Sequence, residues 1–100
     1  MIDMVKVALL AWLEAKPGME QELSDLLKSA LPLAQGEPKT VTWYAWQIDA
    51  SVFGIFDTFE TEEGREAHLN GQIAAALMAN ADRLLAKPPV IEKLTILAAK

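Results

Sequence analysis

Two segments with strand character, separated by a short polar break, constrain the fold of this chain most. Thr40–Ile48 and Val52–Phe59 are rich in aromatic and β-branched residues, and Asp49-Ala50-Ser51 between them has the composition of a turn. Segments of this kind bounded by turn residues are typical of a β-hairpin. Because a two-stranded hairpin is marginal on its own, the rest of the chain is expected to enclose it.

A short helix is predicted directly after the hairpin. Thr61 can cap its N-terminus, and Glu62 and Glu63 place negative charge in the first turn, where the helix dipole favours it. Gly71 is the predicted stop. This helix carries His68, the only histidine in the chain.

The segment before the hairpin predicts a strand followed by a helix. Met4–Ala15 alternates with apolar residues on both faces, which indicates a strand covered on two sides. Lys16-Pro17-Gly18 has turn chemistry. Met19–Ala34 has helical spacing, and Pro32 is expected to kink or end that helix near Leu31.

The segment after the short helix repeats this alternation of helix and strand. Gly71–Lys87 has helical spacing and is stopped by Pro88-Pro89, and Val90–Ala99 predicts a final strand that is again apolar on both faces. The order is β-α-β-β-α-β over one domain, residues 1–100. This order predicts an α+β, ferredoxin-like fold with a four-stranded antiparallel sheet and both helices on one face.

A sheet of this kind leaves one face without helices. That face is predicted to be apolar in the first and last strands, and 52% of the residues are hydrophobic. A second subunit laid sheet to sheet is the simplest cover, so we predict a two-fold homodimer through this face.

Composition excludes several partners and locations. The net charge is −5, with nine basic residues and no basic cluster, which argues against nucleic acid. The longest apolar runs, Val7–Leu13 and Ile73–Ala79, are too short to span a bilayer, so no membrane role is expected. The absence of cysteine suits an intracellular protein, and a cytoplasmic soluble domain is the expectation.

Familiar catalytic signatures are absent from the sequence. It has no G-x-S-x-G, no phosphate-binding loop, no G-x-G-x-x-G after a strand and no paired-histidine metal spacing. With one histidine and no cysteine, a metal site would depend on carboxylates, and no metal is expected.

One pattern does point to a known family. The first strand, followed by KPG and an acidic amphipathic helix, precedes F-x-I-x-D-x-F-x-x-x-E-x-x-E-A-H from Phe53 to His68. In element order and in this pattern the chain resembles the antibiotic biosynthesis monooxygenase domain family. Asp57 and Phe59 stand where that family more often has Glu and Trp.

The resemblance implies a dimer of ferredoxin-like subunits with a pocket between sheet and helices. It implies oxygenases that add O₂ to phenolic substrates without metal or flavin, and hence no cofactor and a small aromatic metabolite as partner. The haem-degrading branch of the family has Asn, Trp and His where this chain has Ala11, His68 and Met78, so haem degradation is not expected.

His68 is the predicted catalytic residue, acting as a general base on a phenolic proton. The alternative is a half-buried histidine that ties the helix to a loop. The predicted substrate-binding residues are Tyr44, Trp46, Phe53, Asp57, Phe59 and Met78. For Asp57 the alternative is a structural ion pair with a basic group, for which Arg65 is one candidate. For the aromatic residues the alternative is a place in the core or dimer interface, and for Met78 it is plain packing.

The function predicted from these observations is a cofactor-independent monooxygenase of a phenolic or quinone-type small molecule. Two alternatives stay open. One is a non-catalytic small-molecule binder or structural dimer, and the other is an isomerase that uses the same pocket without oxygen.

Overall fold

A computed structural model describes residues 4–100, which form four strands and four helices. The elements in chain order are β1 (Val7–Glu14), α1 (Glu20–Ser29), α2 (Leu31–Gln35), β2 (Thr40–Gln47), β3 (Val52–Phe59), α3 (Glu62–Leu69), α4 (Gln72–Leu84) and β4 (Val90–Thr95). Within this part of the chain no helix combines the length and the apolar character that a bilayer crossing needs.

The strands form one antiparallel sheet in the order β2-β3-β1-β4. The predicted hairpin is β2 and β3, and Asp49 closes its turn by accepting hydrogen bonds from the amides of Ser51 and Val52 at 3.0 and 2.9 Å. β1 then pairs with β3 on one side and with β4 on the other. The predicted ferredoxin-like α+β fold is confirmed.

The segment predicted as one helix over Met19–Ala34 forms two. α1 ends at Ser29, and α2 starts at Leu31 with Pro32 in its first turn. The break at Ala30 lies beside Leu31, where the sequence predicted that Pro32 would kink or end the helix. Proline is tolerated in a first turn because the amide it lacks would have no partner there, so the chain continues through Pro32 as a second, short helix.

The helices after the hairpin are set by their caps. The Thr61 hydroxyl accepts a hydrogen bond from the Gly64 amide at 3.0 Å, as the sequence predicted for an N-cap. α3 ends at Leu69 with Asn70 as its C-cap, and Gly71 is the N-cap of α4. The chain therefore turns from one helix into the next within two residues, close to His68.

The two faces of the sheet are covered differently. The core lies between the sheet and the helices, where Leu23, Leu27 and Ile73 pack against Leu13 and Phe53. The opposite face, called the outer face here, carries the alternate residues of each strand. Its aromatic and large aliphatic residues are Leu10, Trp12, Tyr44, Trp46, Phe56, Val90 and Leu94.

Candidate functional site

His68 lies between two carboxylates that come from different parts of the chain. Its Nδ1 is 2.7 Å from Glu37 Oε1, in the loop between α2 and β2. Its Nε2 is 2.9 Å from Asp57 Oδ2, on β3. His68 and Asp57 are 8% and 1% exposed. Three buried or half-buried ionisable groups therefore form a continuous row, Glu37–His68–Asp57.

The two contacts of His68 differ in quality. Nδ1 makes a hydrogen bond with Glu37, whereas Nε2 and Asp57 are within ion-pair distance without the alignment of a hydrogen bond. Neither Asp57 oxygen has a hydrogen-bond donor among the described residues. Burying a carboxylate without aligned hydrogen-bond donors costs folding free energy. Asp57 is therefore a position where a function or a bound molecule would offset that cost.

Burial and charge move the pKa values of this pair. Burial alone would lower the pKa of His68, but the close contact with the Asp57 carboxylate and then with Glu37 outweighs it and raises the pKa to about 9. Burial raises the pKa of Asp57, and the charge of His68 offsets part of that rise. At neutral pH His68 is therefore an imidazolium, beside a carboxylate that takes up a proton more readily than an ordinary aspartate.

A small apolar cavity of about 50 Å³ opens beside Asp57 and His68, between the sheet and α3 and α4. Met78, which is 62% exposed, contributes to its wall. The other apolar residues that line it are Leu9, Ala11, Ile55, Leu69, Ile73, Ala74, Leu77, Pro89 and Ile91. Asp57 and His68 are the only ionisable groups among its lining residues within the described chain.

A larger groove of about 510 Å³ lies on the Glu37 side of His68. It runs between the α2–β2 loop and the α3–α4 junction, and it is lined by Pro32, Leu33, Gly36, Glu37, Pro38, Lys39, Thr40, Gly64, Ala67, His68, Gly71 and Gln72. His68 thus lies between an apolar cavity and an open groove.

The structure brings together only some of the predicted site residues. His68, Asp57 and Met78 line the cavity. The Phe59 ring packs against the imidazole with centroids 5.5 Å apart, and Phe53 lies deeper in the core. Both rings are on the helix side of the sheet, but neither lines the cavity.

Tyr44 and Trp46 are on the outer face, away from His68. Trp43 is paired with Asp57 across the hairpin and is partly buried against the core, so the alternation of β2 turns its two neighbours outward. Tyr44 stacks on Phe56, and Trp46 meets Trp12 edge to face at 5.1 Å.

The ion pair predicted as the alternative for Asp57 is present, but its partner is His68 and not Arg65. The Arg65 guanidinium donates to the backbone oxygens of Ala8 and Leu94, each at 3.1 Å, and pairs with Glu62. Arg65 thereby ties α3 to β1 and β4, and Asp57 has His68 as its partner instead.

Sequence reasoning missed Glu37. It precedes a proline in a loop, and no periodicity or motif marks it. Only the fold brings it to His68, which lies 31 positions further along the chain. Across residues 4–100, the row Glu37–His68–Asp57 included, no group of three or more acidic or histidine side chains is arranged to hold a metal ion.

Comparisons with solved structures show the fold class of this protein. A "putative antibiotic biosynthesis monooxygenase" from Nitrosomonas europaea has a TM-score of 0.81 at 13% identity, covering 91% of this chain and 98% of that one. A protein of the same name from Caulobacter crescentus has a TM-score of 0.79 at 17% identity, covering 96% and 93%. The chain therefore has the ferredoxin-like fold of these proteins, with a cavity on the helix side of its sheet.

The particular family follows from a much nearer relative. The NE2512 protein of unknown function from Nitrosomonas europaea is 60% identical over 98% of this chain and 95% of that one, with a TM-score of 0.96. This chain belongs to the same family as the NE2512 protein. No family model and no curated protein matches the chain.

Proposed function

We propose that this protein is a cofactor-independent monooxygenase of a small phenolic or quinone-type molecule. The observation that carries the proposal is the Asp57–His68 ion pair facing an apolar cavity, with neither Asp57 oxygen in an aligned hydrogen bond. The fold shared with proteins named as monooxygenases supports the reaction class. The absence of cysteine suits action in the cytoplasm.

The charge states assign the roles in this reaction. A histidine whose pKa is about 9 is already protonated at neutral pH and is a poor base. Asp57 is the proton acceptor, because its pKa is raised and its oxygens are in no aligned hydrogen bond. His68 stabilises the anion that forms. These roles differ from the sequence-based prediction that His68 is the base.

The chemistry then needs only the substrate and O₂. Asp57 removes a proton from the substrate, and the electron-rich anion reduces O₂ directly. One oxygen atom enters the product as a carbonyl and the other leaves as water, so a ring CH₂ becomes C=O. The apolar cavity wall excludes bulk water and strengthens the electrostatic effect of His68.

The size of the cavity restricts the substrate. An apolar cavity that holds benzene is roughly 150 Å³, about three times the cavity beside Asp57. Entry of even a single ring therefore requires side chains to move. Met78 is exposed and has an adaptable side chain, so we propose that it moves to admit the ring.

Asp57→Asn tests the assignment. With anthrone-like and single-ring phenols in air, we expect wild-type protein to consume O₂ and the variant to lose most of that activity, about 100-fold or more, because the amide cannot take up the proton. Oxygen-electrode rates and mass spectrometry of the product measure it.

Asp82→Asn is the matched control, since Asp82 is exposed on α4 and should leave the rate unchanged. Asp57→Asn protein that is folded and as fast as wild type would refute the role of Asp57. Turnover that persists without oxygen would instead identify an isomerase.

A second candidate function is a non-catalytic dimer that binds a small molecule or none. The row Glu37–His68–Asp57 favours it, because these contacts join the α2–β2 loop, α3 and β3 and have a purely structural use. Failure of every phenol tested to react or to raise the melting temperature would support this candidate.

We also propose that the protein is a homodimer through the outer face. Trp12, Tyr44 and Val90 on this face are 37%, 56% and 46% exposed in the single subunit. Clustered apolar surface of this kind is typical of an interface between subunits.

A further inference from the structure

Glu37 holds His68 from the side opposite to Asp57. Its Oε1 accepts a hydrogen bond from the Thr40 hydroxyl at 2.7 Å and lies 2.7 Å from His68 Nδ1. The Glu37 side chain is 21% exposed and lines the open groove, but it does not line the cavity. Glu37 therefore contacts the imidazole from the solvent side.

This contact determines where the protons of the imidazole lie. A carboxylate can only accept a hydrogen bond, so Nδ1 must carry a proton. The hydrogen bond made by one ring nitrogen also orients the ring and decides what the other nitrogen presents. With Nδ1 held by Glu37, Nε2 is on the other side of the ring, 2.9 Å from Asp57 Oδ2.

We propose that Glu37 is a positioning residue for the Asp57–His68 pair, which from the open groove fixes the orientation of His68 and keeps it positively charged beside Asp57. Its catalytic importance rests on the proposed function, because only there does the pair act on a substrate. The positioning itself is a property of the folded chain and is testable without any substrate.

The other charged groups around His68 are engaged elsewhere. In the α2–β2 loop, Lys39 lines the groove but pairs with Glu63 of α3. On the far side of α3, Glu66 pairs with Lys93 of β4 at 3.0 Å. The cavity-lining residues from β1, α4 and β4 carry no ionisable side chain.

Arg65, on the same helix, binds backbone oxygens of β1 and β4 and the side chain of Glu62. Among the described residues, Glu37 and Asp57 are therefore the two charged groups in direct contact with the ring of His68.

Titration of His68 by NMR tests the proposal, and as the only histidine it gives an unambiguous imidazole signal. Glu37→Gln retains an oxygen that can accept from Nδ1 but removes the charge. We expect the proton affinity of His68 to fall about tenfold or more, a shift of roughly one pH unit. Glu63→Gln, an exposed glutamate that faces the same loop, should leave the titration unchanged.

Thr40→Val is the second variant. It removes one of the hydrogen bonds that hold Glu37 and should lower the proton affinity of His68 in the same direction by a smaller factor. If circular dichroism shows that Glu37→Gln does not fold, Thr40→Val is the variant that tests the proposal. A wild-type titration in either folded variant would overturn the proposal.

The reaction supplies a separate readout. If Asp57 is the base, Glu37→Gln should displace the pH dependence of the rate along with the His68 titration. A shifted titration in a protein that turns over no phenol would preserve the positioning role and refute the proposed function alone.

Discussion

His68 is the residue at which sequence and structure assign different chemistry to the same side chain. A lone histidine near a helix end is a candidate base because its ordinary pKa is near neutral. Here two carboxylates contact its two ring nitrogens, and they hold it as a cation well above neutral pH. The base is then the group beside it, Asp57.

The same ionisation predicts how stability depends on pH. The pKa of His68 is about 9 in the folded protein and 6.5 in an unfolded chain, so the folded state binds its proton more tightly. The stabilisation is complete below pH 6.5 and is lost as the pH rises towards 9. We expect the free energy of unfolding to fall by on the order of 3 kcal/mol across this window, measured by urea denaturation at several pH values.

His68→Gln is the comparison for this prediction. The variant should be less stable at neutral pH, because Asp57 loses its cationic partner, and the slope between pH 6.5 and 9 should disappear. Equal slopes in the two proteins would show that His68 is not the group responsible. Asp57 adds a slope of the same sign at lower pH, because its pKa is also raised on folding.

At the scale of elements, the centre of the sheet depends on a glycine. Gly54 of β3 is paired with Trp12 on β1 and with Trp46 on β2. A Cβ atom added at Gly54 would lie closer than 3.0 Å to the Trp46 ring and to the Ala11 carbonyl oxygen. The edge-to-face contact of the two tryptophans covers this position, so a side chain there must displace them.

We therefore expect Gly54→Ala to destabilise the protein by about 2 kcal/mol or more, since a backbone oxygen cannot move aside as a flexible side chain can. Urea denaturation followed by tryptophan fluorescence measures the loss.

Gly36→Ala is the control for Gly54→Ala. Gly36 has a negative φ, and a Cβ there would make ordinary contacts of 3.5 and 3.6 Å. A change of less than about 0.5 kcal/mol is expected. Similar losses in the two variants would contradict the steric explanation.

The elements that the sequence predicted well are those with a strong local pattern. The hairpin has aromatic and β-branched strands around a polar turn. The start of α3 has Thr61 before acidic residues. Both structures depend on residues that are close together in the sequence. Pro32 predicted the break near Leu31 but not the separate short helix after it, because proline marks both a helix end and a helix start.

The site was predicted less completely because its contacts are long-range. Asp57 and His68 could be grouped, since 11 positions of strand, turn and helix connect them. Glu37 carries no local signal, and its role exists only once the α2–β2 loop lies beside α3. The facing of Tyr44 and Trp46 depended on the register of β2, which the fold sets through the pairing of Trp43 with Asp57.

At the scale of the whole molecule, the two faces of the sheet differ in the residues that they carry. The helix side contains the core, the cavity and the buried ionic row. The outer side carries aromatic residues that the single subunit leaves partly exposed, together with a hydrogen bond of 2.7 Å from Trp12 Nε1 to Glu92. Arg65 donates to backbone oxygens of β1 and β4, so α3 is fixed to strands that present both faces.

This division predicts that wild-type protein is a dimer and that one charge on the outer face dissociates it. Tyr44→Lys places an ammonium on that face twice in a two-fold dimer, while the single subunit loses little because Tyr44 is 56% exposed. Burying one unpaired charge costs on the order of 3 kcal/mol, so the two charges together should raise the dissociation constant roughly 10⁴-fold. Sedimentation equilibrium at micromolar concentration should give twice 11.0 kDa for wild type and a lower mass for the variant.

Leu31→Lys, a similarly exposed position on α2, should remain dimeric, and a wild-type mass of 11.0 kDa would refute the outer-face interface.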